Sequence, residues 1–194
     1  MPDLILPGLA AYLAGAAGGF FLVTRSPLPA ALFWGIGLAL HAALAVTELS
    51  GRLGLPLFTG LEGDIRYHTH MLAPLSLALG AIFSLIIPAA SRHLTLFAGI
   101  GLAFLIAGLL GRLPIGDWPL PLILLGILIV TILIGLRRRP VPGIWLLAAT
   151  LAAGLAELVR HRYLGLLPVT PAGLADMLAG IALFCFGMTA YRTR

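Results

Sequence analysis

The chain has 194 residues, 60% of them hydrophobic, a mean hydropathy of +1.08 and only 10% charged residues. A soluble domain of this length buries one stripe of each helix and has no use for so much apolar surface, which excludes a water-soluble fold and points to an all-α integral membrane protein. The net charge of +5 comes from arginine alone, and basic charge in such a chain reports membrane orientation rather than nucleic-acid binding.

Crossing a hydrocarbon core of about 30 Å takes about 20 apolar helical residues. Seven stretches meet or approach that length: 4–24, 30–48, 70–90, 94–111, 119–136, 144–161 and 172–190. The first, Leu4 to Thr24, has no basic leader and is long enough to span, so it reads as a transmembrane helix and not as a cleaved signal peptide. Pro27 and Pro29, Pro114 and Gly116, Arg137 to Pro142, and Pro168 and Pro171 punctuate the gaps. The longest gap, Leu49 to Thr69, has room for a short interfacial helix. With connections this tight, the expectation is one transmembrane domain over 1–194.

Seven spans place the termini on opposite sides of the membrane. Arg25, Arg92, Arg137, Arg138, Arg139, Arg192 and Arg194 then share one side, and Arg52, Arg66, Arg112, Arg160 and Arg162 share the other. The Arg137–Arg139 block marks the first side as cytoplasmic. All the acids (Asp3, Glu48, Glu62, Asp64, Asp117, Glu157 and Asp176) fall on the opposite side. The predicted topology is N-terminus out and C-terminus in, in a bacterial inner (plasma) membrane.

Two loop patterns recur in the same order. Arg25-Ser26-Pro27-Leu28-Pro29 after the first span matches Arg138-Arg139-Pro140-Val141-Pro142 after the fifth. Glu48-Leu49, Arg52 and Leu53-Gly54-Leu55-Pro56-Leu57-Phe58-Thr59 after the second span match Glu157-Leu158, Arg160 and Leu164-Gly165-Leu166-Leu167-Pro168-Val169-Thr170 after the sixth. The pattern predicts a 3+1+3 parallel internal repeat: about 4–90, a connector helix at about 94–111, and about 119–190. Parallel repeats related by an axis along the membrane normal place a transporter's substrate site at their interface. The plan and its Pro-x-Pro loop are similar to those of the SWEET sugar transporters, a likeness of architecture and not of any longer sequence stretch.

Ionisable residues inside a span are costly, by about 2.5–3.5 kcal/mol on insertion scales, and mark functional sites. His41, Glu48, His70, Glu157, His161 and Asp176 are such residues, all toward the predicted outer face. Each shares a helical face with small residues: His41 and Glu48 with Gly37 and Ala45, His70 with Ala73 and Ser84, Glu157 and His161 with Ala149 and Ala153, and Asp176 with Gly173, Gly180 and Gly187. Small residues let transmembrane helices approach, so these faces turn toward other helices. The expected result is a polar pocket lined by spans two, three, six and seven, with spans four and five outside it and with glycine faces available for self-association.

Three chemistries suit such a pocket. Carboxylates and histidines in a duplicated bundle can relay protons or hold a small cation or polar solute for transport. Alternatively, Glu157 and His161 one turn apart, with His70 and Asp176, offer a tetrahedral zinc set for a metal-dependent hydrolase. Seven-helix hydrolases of the alkaline ceramidase type use a set of this kind, but their His-x-x-x-His near the start of the last helix is missing here, where Asp176 is the only candidate. Copper is a variant, with His68-Thr69-His70-Met71 and Met177 as ligands. A b-type haem between His41 and His70 ranks last, since His41 stands about 10 Å deeper than Glu48. The remaining class is a structural membrane subunit. Cys185, the single cysteine, excludes an intrachain disulfide.

Overall fold

The computed structural model describes residues 4–26, 30–55, 58, 60–87, 119–160 and 171–193, and of 119–123 and 171 the backbone only. These residues form six α-helices: α1 (Ile5–Val23), α2 (Ala30–Arg52), α3 (Glu62–Leu85), α4 (Pro119–Arg138), α5 (Pro140–Arg160) and α6 (Pro171–Arg192). Five of them, α1, α2, α3, α5 and α6, are long and apolar enough to cross a bilayer, which makes the chain an integral membrane protein in contact with lipid. The fourth predicted span, 94–111, lies outside the described residues.

Helix ends follow local chemistry, and they correct two expected boundaries. α4, α5 and α6 each begin at a proline. A missing N–H costs nothing at the first helical position, and the ring fixes φ at a helical value. The gap expected over Arg137 to Pro142 therefore shrinks to Arg139 alone. α3 likewise starts at Glu62 instead of about residue 70, with Glu62 and Asp64 in its first turn, where the helix dipole favours acids. Arg66, Tyr67, His68 and Thr69 are thus helical, and no separate interfacial helix occurs among the described residues of the Leu49–Thr69 segment. α2 runs on past Glu48 to Arg52 and is closed by Gly54, whose φ of 71° suits glycine. Around that turn the Leu55 N–H donates to the Ser50 carbonyl at 2.9 Å.

The helices pack as a closed ring in chain order, each against the next and α6 back against α1. That closing seam is backbone against backbone. A methyl built on Gly8 would fall on Gly173, one on Gly15 on Gly180, and one on Gly187 on Gly19. The pairs advance together, so α1 and α6 run parallel, at a distance that only small residues permit. The glycine stripe beside Asp176 is therefore engaged within the chain. α3 and α4 also share a direction: Leu75 and Leu79 cluster with Leu124, and Leu85 meets Gly135 further along both helices.

Consequently α1, α3, α4 and α6 begin, and α2 and α5 finish, at one end of the ring. The described acids Glu48, Glu62, Asp64, Glu157 and Asp176 all stand toward that end, together with Arg52, Arg66 and Arg160. Arg25, Arg137, Arg138, Arg139 and Arg192 stand at the other. Toward this second end the ring is filled. Trp34 is fully buried, its indole N–H donates to Ser84 Oγ at 2.9 Å, and its ring lies 5.8 Å from that of Phe186. Trp34 thus ties α2 to α3 and α6.

Candidate functional site

A cavity of about 840 Å³ occupies the middle of the ring at the acid-bearing end. Its exposed lining residues, among them Arg52, Glu62, Arg66 and Glu157, mark the mouth. Lining chemistry changes in layers with depth.

The rim is charged and paired. Arg66 of α3 meets Glu48 of α2 at 3.2 Å. Arg160 of α5 lies 2.9 Å from Glu157 on its own helix and 3.6 Å from Asp176 of α6. Asp176 is the most enclosed of these, its side chain 18% exposed. Two arginines thus span neighbouring helices on different sides of the opening.

One layer down, the Tyr12 hydroxyl of α1 is hydrogen-bonded to His41 Nδ1 of α2, with the rings edge to face at 5.8 Å. Thr69 sits between the Ile65 carbonyl at 2.7 Å and the Leu40 carbonyl at 3.2 Å, joining α3 to α2. Thr47 donates to the Ala43 carbonyl at 2.9 Å. Pro74, inside α3, has no N–H to offer the His70 carbonyl one turn earlier, and both residues line the cavity. Below this level the wall is apolar: Leu77, Leu128, Ala182, Leu183 and Phe186.

The structure brings five of the six expected residues to this one cavity: His41, Glu48, His70, Glu157 and Asp176. His161 lies outside the described residues. Of the expected metal set His70, Glu157, His161 and Asp176, the described members form no group suited to a metal, and no three His, Cys, Asp or Glu residues do so elsewhere among the described residues. His68 and His70 stand two apart on a helix, where side chains do not face each other, so the His-x-His string does not converge on copper.

The expected lining is corrected at two helices. The predicted fifth span, α4, is part of the ring and lines the cavity through Leu124 and Leu128. α1 contributes Leu9 and Tyr12. Sorting helices by polar content overlooked both, because the deeper wall is apolar. Tyr12 carried a usable signal: it stands four residues from Gly8 and three from Gly15, a polar tip on a small-residue face.

An all-helical membrane protein with a one-ended, charge-rimmed cavity is the class that the fold and the site define. No protein-family model, curated protein or solved structure matches the chain.

Proposed function

We propose that this protein moves or handles a small polar solute across the bacterial inner membrane, through the cavity and from the outer face. The observation that supports this reading is the convergence of His41, Glu48, His70, Glu157 and Asp176 from four helices on one cavity. Charged side chains are retained inside membrane helices where they serve a pathway or a ligand. A polar solute is favoured over a bare cation, because Glu48, Glu157 and Asp176 each already face an arginine.

Orientation follows from charge. Arg137 to Arg139 and Arg192 lie at the end opposite the mouth, and arginine-rich ends face the cytoplasm. The common direction of α3 and α4 calls for one more crossing between them, and the apolar length of the 94–111 sequence supports a reading of seven spans in one domain over 1–194. Ring order α1–α2–α3–α4–α5–α6, with corresponding helices of the two triplets running the same way, is the order that two parallel repeats about an axis along the membrane normal produce. Rocking of one triplet against the other would carry the site between the two faces, with the α1–α6 seam as the fixed side.

The test is uptake into proteoliposomes of labelled alkali cations, zwitterionic amino acids with short and long alkyl side chains, and neutral sugars, with zinc and copper measured on the same preparation. Saturable uptake of a polar solute that survives chelation and falls about tenfold or more in Asp176→Asn is expected. Absence of uptake for every solute refutes transport. Stoichiometric zinc lost in both Asp176→Asn and Glu157→Gln would instead make the pocket a metal centre and favour the metal-hydrolase alternative.

A further inference from the structure

We infer that the solute of this cavity is a single-chain amphiphile, with a zwitterionic head held at the rim and an apolar tail in the lower half. The inference rests on reading the cavity as a solute site, and it adds the substrate class.

Three observations carry it. The first is the layering. Beneath the rim, most polar atoms of the described lining already have partners within the protein: Thr47 donates to the Ala43 carbonyl, Thr69 to the Ile65 and Leu40 carbonyls, and the Tyr12 hydroxyl is bonded to His41 Nδ1. A sugar or hydrated ion pushed to the floor would surrender its water and meet only Leu77, Leu128, Leu183 and Phe186. Burying polar groups without partners is strongly unfavourable, whereas an alkyl tail gains from leaving water.

The second is depth. Gly180 is level with Tyr12, since a methyl built on it would lie 3.0 Å from the Tyr12 Cα. Phe186 is six residues further along α6, which at about 1.5 Å per residue puts the floor about 9 Å below the Tyr12–His41 pair. A tail of medium length fills that space. The second ring nitrogen of His41 and the His70 imidazole, both at the lining, stand where head meets tail.

The third is the charge of the rim. Glu48, Glu62, Glu157 and Asp176 face Arg52, Arg66 and Arg160 around one opening. A purely cationic or purely anionic head meets attraction and repulsion together. An ammonium beside Asp176, with a carboxylate or phosphate beside Arg160 3.6 Å away, satisfies both.

A head and tail of this kind belong equally to a single-chain lysophospholipid of the membrane and to a water-borne amphiphile, and the experiment separates the two. The full-length protein in nanodiscs of anionic phosphatidylglycerol is titrated calorimetrically with 2-aminodecanoate, glycine, decanoate and nonylamine, with empty nanodiscs subtracted. The expected result is saturable binding of 2-aminodecanoate, with the other three weaker by about tenfold or more, and a negative heat-capacity change. Ala179→Phe and Ala153→Leu, which fill the cavity from α6 and α5, abolish the binding, and two plugs on different helices guard against a folding defect in either. Mass spectrometry of gently extracted protein supplies the other arm. A retained lysophosphatidylethanolamine displaced by 2-aminodecanoate assigns the site to a lipid, and 2-aminodecanoate binding without retained lipid assigns it to a water-borne amphiphile. Glycine binding as tightly as 2-aminodecanoate overturns the amphiphile while leaving the polar-solute reading intact. Failure of all four probes, with no retained lipid, overturns the amphiphile as well, and the proteoliposome uptake then decides the parent reading separately.

Discussion

Replacing Gly15 by alanine tests the seam on which the ring closes. The new methyl would stand 2.7 Å from the Gly180 Cα, against an ordinary carbon contact of about 3.5–4.0 Å. α1 and α6 must therefore part by about 1 Å, a gap that forfeits up to about half the attraction of each contact along the seam. Overpacking of this kind costs about 1–3 kcal/mol, and alanine returns roughly 0.5–1 kcal/mol through its better helical propensity. The net expectation is a loss of up to about 2.5 kcal/mol, the difference of those two ranges. Gly154, on α5, has nothing within 4 Å of the same added methyl, so Gly154→Ala should gain about 0.5–1 kcal/mol by propensity alone. One chemical change thus carries opposite signs at two sites. Unfolding by a denaturing detergent in mixed micelles, followed by helical circular dichroism, reads both. If Gly15→Ala proves as stable as Gly154→Ala, the parallel backbone contact between α1 and α6 is wrong, and with it the placement of Tyr12 against His41.

Two further outcomes are expected. Ser84→Ala leaves the buried Trp34 indole N–H without its acceptor and should destabilise by about 1–3 kcal/mol; adding Trp34→Phe should then cost less than it does in the wild-type background, and strict additivity would contradict the bond. For orientation, a cysteine at Gly60 in a Cys185→Ala background should react with an impermeant maleimide on intact cells. One at Arg138 should react only after permeabilisation, and the reverse pattern would invert the proposed topology.

Much of the site was legible in residue spacing, because the bilayer simplifies the problem. Apolar length sets the spans, and an ionisable group in hydrocarbon must turn inward. Those two rules suffice to place His41, Glu48, His70, Glu157 and Asp176 on inward faces near one end. They fail where cost is low or absent. Arg66 and Thr69 fall in a stretch polar enough to pass for a loop, yet the dipole-matched start at Glu62 makes it helix. Leu124 and Leu128 line the cavity with no periodic signal, since an apolar residue is equally at home against lipid and against an apolar floor.

Composition and spacing alone determined that the chain is a helical membrane protein, where most of its helices lie, and which end carries its acids. Each of these is a property of one segment measured against the bilayer. Tertiary structure decided the neighbours: that α6 lies parallel to α1 along the glycines, that α4 belongs to the ring, that Arg160 stands between Glu157 and Asp176, and that Tyr12 meets His41. Pairing between helices depends on shape and on the competition among many apolar faces of similar energy, because lipid tails give no hydrophobic preference for one neighbour over another. Only the packed ring breaks that near-degeneracy.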